Sequence, residues 1–247
     1  MKLLVCVSKT PETTTKIQLT ADGKEIDTAG VQYIMNPYDE WYALVRALEL
    51  KESAGGSVTI LNVGPADNDS VIRKGLAIGA DDAVRIDVSE EKDSLYTARQ
   101  IAEYAKSQAY DIIFFGKETI SYNGSEVGAM VAEFLDLPYV GEASHLEVDG
   151  GKATITRDIE GGEEVIEVDT PVAVSAAKGM AEQRIPNMRG IMMAKRKPLE
   201  VVAAVDYPDT TRIVTYEKPE EKGSVKLIDP DNMDELVRLL HEEAKVI

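Results

Sequence analysis

Apolar and polar positions follow two different patterns along residues 1–140. Short runs of consecutive apolar residues predict buried strands, and these runs fall within residues 1–9, 57–64, 82–88 and 111–116. Between them, apolar residues recur at helical spacing and predict helices over residues 36–53, 67–78, 94–109 and 124–135. Alternation of strands and helices favours a parallel sheet with right-handed crossovers and helices on both faces.

The pattern changes after Pro138. Residues 143–170 alternate apolar with polar and contain Gly150-Gly151 and Gly161-Gly162, which predicts a small antiparallel meander. Another buried strand is predicted directly after it, whereas residues 179–197 have no regular period. The predicted fold class is therefore α/β, a three-layer, doubly wound, mostly parallel sheet of the Rossmann-like kind with a small meander.

Residues 199–247 look extended and polar up to a final amphipathic helix near Pro230. Such a segment buries little area on itself, so we separate an α/β domain of residues 1–198 from an extended C-terminal arm of residues 199–247. Two interpretations of the arm stay open at this point. It is either a packed extension of the domain or an arm that embraces a partner subunit.

Charge excludes several classes of function. The chain of 247 residues has 27 Lys and Arg against 44 Asp and Glu, a formal net charge of −17. This charge disfavours binding to nucleic acids and to anionic membrane surfaces. No apolar run approaches the roughly 20 residues that cross a bilayer, so no membrane insertion is expected. We expect an intracellular, cytoplasmic protein.

Residues for catalysis are scarce. One cysteine, Cys6, and two histidines make a thiolate metal site, a redox cysteine pair or a histidine triad a poor expectation. We predict no catalytic residue and no metal site. A bound cofactor must therefore carry any redox chemistry.

A candidate ligand site lies at the carboxyl ends of the predicted strands, where open α/β sheets bind ligands. It includes the strand ends Cys6-Val7-Ser8 and Val63-Gly64-Pro65, the run from Asn36 to Asp39, and the loop from Gly116 to Gly128, GKETISYNGSEVG. Such a loop before a helix suits a phosphate, but neither GxGxxG nor a P-loop is present. A plain connection with Ser and Thr as helix caps explains the loop equally well, and Asn36-Pro37 also fits a helix start.

A second candidate is the basic segment of residues 179–197, which contains Met188, Ile191, Met192 and Met193. Methionine suits adaptable surfaces. If these side chains are exposed, they would suit an acidic or apolar protein partner, and otherwise they fold back as core.

Specific runs occur in a specific order: MNPYDE at residues 35–40, GPA and GADDA within residues 64–83, and IMMAKRKPLEV at residues 191–201. With them the chain resembles the beta subunit of electron transfer flavoprotein (ETF) over its whole length. The resemblance implies an adenine nucleotide alpha hydrolase-like fold and a heterodimer with an ETF alpha subunit. It also implies an electron carrier between acyl-CoA dehydrogenases or related flavoenzymes and a quinone-linked oxidoreductase, rather than an independent enzyme.

The resemblance also implies the cofactors. A redox-active FAD is held at the interface, mainly by the alpha subunit, and a structural AMP is buried in the beta subunit. Electron-bifurcating relatives bind a second FAD in place of AMP. Nucleotide-contacting positions fall on Cys6, Asn36, Pro37, Tyr38, Asp39, Val63, Gly116, Lys117, Glu118, Thr119, Ile120, Ser121, Tyr122, Asn123, Gly124, Ser125, Glu126 and Val127. Tyr38, and less directly Thr13, would lie nearest the partner's flavin.

In this family the segment before IMMAKRK anchors the dehydrogenase, which assigns partner contacts to Met188, Arg189 and Ile191. The anchor is commonly Leu, and Met188 keeps it apolar. Ser121, Tyr122 and Asn123 stand where Asp residues are common, so the choice between AMP and a second FAD stays open. An ATP-binding or ATP-hydrolysing protein of the same fold, or a nucleotide sensor, is the alternative. Lys117 is the only basic residue in the loop, which disfavours ATP turnover.

Overall fold

The computed structural model describes residues 1–220 and 223–247. Thirteen strands and six helices occur in this part of the chain. The strands are β1 (Lys2–Cys6), β2 (Lys9–Pro11), β3 (Gln18–Leu19), β4 (Ile26–Asp27), β5 (Tyr33–Met35), β6 (Ser57–Gly64), β7 (Asp82–Asp87), β8 (Ile112–Gly116), β9 (Tyr139–Asp149), β10 (Lys152–Ile159), β11 (Gly162–Asp169), β12 (Val172–Ala176) and β13 (Leu199–Ala203). The helices are α1 (Asp39–Ala54), α2 (Asp69–Ile78), α3 (Ser94–Ala105), α4 (Val127–Leu135), α5 (Met188–Ala194) and α6 (Met233–Arg238).

Nine of these strands form one sheet in the order β11-β10-β9-β12-β8-β1-β6-β7-β13. Neighbours from β9 to β13 run parallel, whereas β10 runs antiparallel to both of its neighbours, β9 and β11. From the central β1 the chain moves outward through β6 and β7, then returns to β8 on the other side of β1. The predicted doubly wound α/β fold is confirmed, and its strand order reverses between β1 and β8.

Side chains of the central strands alternate between two buried clusters, which makes the fold three-layered. Leu3 and Val5 lie in the cluster that α1 and α2 cover, whereas Leu4 and Cys6 lie in the cluster that α3 and α4 cover. Apolar runs on β1 therefore reflect burial on both faces of the sheet.

Three predicted helices begin later than their sequence pattern suggested, at Asp39, Asp69 and Val127. The polar residues before them form turns instead. Asn36 accepts a hydrogen bond from the backbone of Tyr38, a 3₁₀ turn of Ala66–Asn68 precedes α2, and a loop precedes α4. Asp93 does cap α3, because its carboxylate accepts a hydrogen bond from Tyr96 N at 2.7 Å.

The meander is present, but it is not a separate unit. Strand β9 pairs in parallel with β12, with Ala173 opposite Tyr139, so β10 and β11 extend the same sheet. The segment without a regular period contains the short helix α5, which Asn187 caps through Gly190 N. Its seven residues are too few to display a helical period.

The predicted arm starts as part of the sheet. Strand β13 pairs with β7 from Leu199 opposite Ala83 to Ala203 opposite Asp87, so the sheet continues past the predicted boundary at residue 198. We call residues 204–220 and 223–247 the tail. They include α6 and one turn of π-helix, Leu239–Glu243.

The tail contacts the sheet domain at several points. The side-chain amide of Gln100 on α3 donates to Val205 O at 2.6 Å and accepts from Val205 N at 2.9 Å. Farther along, Tyr216 N donates to Gly23 O at 2.8 Å, beside the β3–β4 hairpin. No residue of α6 is buried against the described part of the chain. Among the helices described, none combines the length and the apolar character needed to cross a bilayer.

Candidate functional site: a cleft at the strand-order reversal

A cleft opens at the carboxyl ends of β1, β6 and β8, which is where open α/β sheets bind ligands. Residues of α3 and the loop before α4 complete its walls. It is lined by Cys6, Val7, Ser8, Lys9, Glu40, Leu61, Asn62, Val63, Asn68, Glu91, Lys92, Thr97, Ile101, Phe115, Gly116, Glu118, Thr119, Ser121, Tyr122, Gly124, Ser125, Val127 and Gly128.

The structure brings ten of the eighteen predicted nucleotide-binding positions to this cleft. They are Cys6, Val63, Gly116, Glu118, Thr119, Ser121, Tyr122, Gly124, Ser125 and Val127. The other eight lie behind or beside the lining and are Asn36, Pro37, Tyr38, Asp39, Lys117, Ile120, Asn123 and Glu126.

Asn36 and Asp39 hold the loop rather than face the cleft. Asn36 is fully buried, and its Nδ2 donates to Glu118 O at 2.9 Å. Asp39 Oδ2 accepts a hydrogen bond from Glu118 N at 3.2 Å. The two side chains therefore clamp both backbone groups of Glu118 to the start of α1, which determines where the loop leaves β8.

Glu40 forms part of the cleft floor. Its carboxylate accepts hydrogen bonds from Ser8 N at 2.8 Å and Ser8 Oγ at 2.6 Å, and only 5% of the residue is exposed. Burial raises the pKa of Glu40 to about 8, against the opposing effect of these hydrogen bonds. Burial, and secondly the charge of Glu40, raise the pKa of the Cys6 thiol, so Cys6 stays protonated.

Gly116 allows α1 to approach the end of β8. A Cβ at this position would lie 2.9 Å from Glu40 Cγ and 3.2 Å from Glu40 N. Because the second of these atoms is backbone, a larger residue would displace the start of the helix. Close packing here places Glu40 beside the loop that begins at Gly116.

The loop before α4 is held by its own backbone. Thr119 N donates to Gly124 O at 2.9 Å and Asn123 N donates to Thr119 O at 2.8 Å. Asn123 has a φ of 53°, a left-handed conformation that Asn tolerates. This geometry leaves Thr119 Oγ1 buried in the cleft wall with no hydrogen-bond partner among the described residues.

A second unpaired polar atom belongs to Asn68, which also lines the cleft. Asn68 Nδ2 donates to Asn62 Oδ1 at 3.0 Å, and Asn62 Nδ2 donates to Val7 O at 2.8 Å. Asn68 Oδ1 is buried and, within residues 1–220 and 223–247, accepts no hydrogen bond. Buried polar atoms are nearly always paired, so these two atoms are open hydrogen-bonding positions on residues that line the cleft.

Ser8 and Val7 follow Cys6 at the predicted end of the first strand, and the structure places both in the lining. Sequence reasoning missed other lining residues, above all Glu40, Asn62 and Asn68. Glu40 belongs to the MNPYDE run, so its position along the chain could have pointed to it. Asn62 is a polar residue inside an apolar strand, which is itself a signal of a site. Asn68 carried no such signal.

Comparison with known proteins agrees with this geometry. The family model of the electron transfer flavoprotein domain matches residues 24–207 of this chain. An electron transfer flavoprotein subunit beta of Bacillus subtilis (strain 168) is 37% identical, with 100% of each chain covered. The human electron transfer flavoprotein subunit beta is 30% identical over 100% of this chain and 99% of its own. The chain belongs to the ETF beta-subunit family.

A relative from Syntrophomonas wolfei with the same description is 37% identical and covers 91% of this ETF beta-family chain and 88% of its own. The matched domain contains the cleft residues that follow position 24, strands β6 to β13 and α5. It ends at residue 207, close to the start of the tail.

Tyr38 lies in a second, shallow hollow of this ETF beta-family chain. Tyr42, Lys178, Gly179, Ala181, Glu182 and Gln183 line the hollow with it. Tyr38 is 49% exposed, and the side-chain amide of Gln183 donates to Pro37 O behind it. The structure thus separates Tyr38 from the cleft.

Apolar side chains on and before α5 are exposed, so they do not fold back as core. Met188 is 74% exposed and Met192 68%. We call this group the apolar patch, and it comprises Ile185, Met188, Ile191, Met192 and Met193. Exposed Arg189, Lys195 and Arg196 surround it, which makes this part of an acidic chain locally basic.

Proposed function

We propose that this chain is the beta subunit of a heterodimeric ETF. It carries electrons from acyl-CoA dehydrogenases or related flavoenzymes to a quinone-linked acceptor. Family membership over the full length of the chain is the observation that supports this most directly. The cleft, the hollow at Tyr38, the apolar patch and the tail each support one part of the proposal.

The cleft suits a structural AMP. The unpaired Thr119 Oγ1 and Asn68 Oδ1 belong to residues that line the cleft and supply hydrogen-bonding capacity there. Val127 and Gly128 at the start of α4 lie in the lining, where helix N–H groups favour a phosphate. Glu40 and Cys6 also line the cleft, and burial raises the pKa values of both groups.

The alpha subunit is the partner that the tail suits. Leu227 and Val225 of the tail are 89% and 80% exposed, and α6 buries no residue against the described residues of this chain. Burial of these apolar side chains against a second chain would make the free energy of association more favourable. The tail would embrace the alpha subunit, with the α/β domain presenting its hollow to the interface.

The FAD of the heterodimer supplies the electron chemistry when it is bound. Tyr38 would face it from the hollow, since its ring is half exposed while the backbone of Pro37 is held by Gln183. This chain then orients and covers the cofactor without a catalytic residue of its own. Met188, Arg189 and Ile191 would contact the dehydrogenase in the small, weak interface that is typical of electron transfer.

Co-expression with an alpha-type subunit tests the proposal. We expect one yellow complex that contains both chains, and acid release followed by mass spectrometry should identify FAD and AMP. Dehydrogenase and acyl-CoA should then reduce the flavin. A complex with FAD but no AMP would replace the proposal by the bifurcating alternative. A colourless chain that binds no alpha subunit would refute it, and turnover of ATP would favour the hydrolase reading.

A further inference from the structure

We infer that Arg73 and Lys197 are positioning residues that hold the apolar patch at a defined orientation for the dehydrogenase. This inference rests on the proposed function. It concerns neither the cleft nor the flavin, because Arg73 lies on α2, Lys197 follows α5, and their side chains connect these two helices. It explains how a helix of seven residues can present an anchor.

Lys197 caps the end of α2. Its ammonium donates hydrogen bonds to Leu76 O at 3.0 Å, Gly79 O at 3.3 Å and Ala80 O. The last carbonyls of a helix have no partner within the helix, and a cation near them is favourable. The ammonium therefore ties the chain that follows α5 to the end of α2.

Arg73 makes the opposite connection. It lies on α2, and its Nη1 donates to Ala194 O at 2.7 Å and to Lys197 O at 2.6 Å. Arg73 of α2 thus binds carbonyls at the end of α5, and Lys197, which follows α5, binds carbonyls at the end of α2. Such a reciprocal arrangement restrains both the distance and the rotation between α2 and α5.

Close packing supports the same restraint. Ala194 is the buried residue of α5, and a Cβ at Gly190 would lie only 2.4 Å from Ala77 O of α2. The remaining face of α5 carries Met188 and Met192, which are exposed. The packing of Ala194 and Gly190, together with Arg73 and Lys197, therefore determines that the methionines of α5 point outward.

An isolated helix of this length is unstable in water, so its orientation depends on these contacts. A weak, small interface gains affinity when its residues are ordered before binding. Loss of Arg73 or Lys197 should therefore weaken dehydrogenase binding although neither residue belongs to the apolar patch. Flavin content should stay the same.

Lys197→Met in the purified heterodimer tests the inference, with Lys195→Met as the matched control. Lys195 is exposed and makes no side-chain hydrogen bond within the described residues, so its loss removes equal charge without removing the caps. We expect Lys197→Met to speed amide exchange over residues 188–197 about tenfold. The apparent KM of the dehydrogenase for the heterodimer should rise about tenfold at an unchanged kcat.

The control should leave amide exchange unchanged and raise KM by less than Lys197→Met does. Arg73→Gln removes the other half of the arrangement and should reproduce both effects, which covers the case that Lys197→Met does not fold. Unchanged exchange in both variants, or an equal rise of KM in the control, would overturn the inference. Met188→Ala separates the two proposals, because an unchanged KM there refutes the docking role of the patch itself.

Discussion

Thr119→Val probes the proposed nucleotide site directly. Thr119 Oγ1 is buried in the cleft wall and has no partner in the described part of the chain. Leaving a buried hydroxyl unpaired costs about 1–3 kcal/mol. A bound nucleotide that pairs with this hydroxyl removes the cost, so the hydroxyl favours the bound state over the empty one.

Valine has nearly the shape of threonine and lacks the hydroxyl. In the empty cleft the substitution should stabilise the fold, because an unpaired polar atom disappears. In the complex it should leave a polar atom of the nucleotide without its partner. The difference corresponds to AMP binding that is weaker by about 1–3 kcal/mol, or about 5- to 150-fold.

Thr10→Val is the matched control. Thr10 Oγ1 is likewise buried and unpaired within the described residues, but Thr10 lies on β2 outside the cleft lining. Its replacement should stabilise the fold by a similar amount and leave AMP binding unchanged. The two variants thus differ only in whether the deleted hydroxyl faces the cleft.

AMP retained after desalting of the heterodimer, and calorimetric titration of AMP, measure the outcome. Added AMP should raise the unfolding temperature of Thr10→Val more than that of Thr119→Val, since at a given concentration a tighter ligand stabilises the folded state more. If Thr119→Val retains AMP as firmly as Thr10→Val does, the hydroxyl does not contact the nucleotide and the placement of the ligand is wrong.

Three further outcomes follow from the contacts. Because burial raises the pKa of Glu40 from 4.5 to about 8, the folded chain holds a proton that the unfolded chain releases, and stability should fall from pH 5 to pH 8. Urea unfolding of Glu40→Gln should show a weaker fall. Asp93→Asn should speed proteolysis of the tail, since Asp93 Oδ2 accepts four hydrogen bonds from Thr210 and Thr211. Gly190→Ala should lower stability by about 1–3 kcal/mol in thermal unfolding, whereas Gly162→Ala, whose Cβ meets nothing, should not.

The tail prediction has a physical basis in the charge of Asp93. Burial by itself would raise the pKa of Asp93, but hydrogen bonds from Tyr96, Thr210 and Thr211 outweigh it and lower the pKa to about 2. In Asp93→Asn the side-chain oxygen can still accept the hydrogen bond from Tyr96 N, but an NH₂ group replaces the charged oxygen that binds Thr210 and Thr211. A tail that resists protease equally in both forms would contradict this attachment.

Short-range pattern determined the four strand–helix units and the antiparallel meander. Apolar runs such as KLLVC reflect burial on two faces, and this requirement can be read without knowing which elements do the covering. The same pattern placed the loop of residues 116–128 at a strand end, and its expected position beside Cys6 and Val63 agrees with the cleft lining.

Only the tertiary structure decided what the polar residues do. Asn36 and Glu118 are 82 positions apart, and Arg73 and Lys197 are 124 apart, so no local period joins them. Helix α5 exists because α2 restrains it, and β13 because β7 offers an unpaired edge. Periodicity in a sequence encodes how much of a segment is buried, whereas the identity of its neighbour depends on contacts that form only when the whole sheet is assembled.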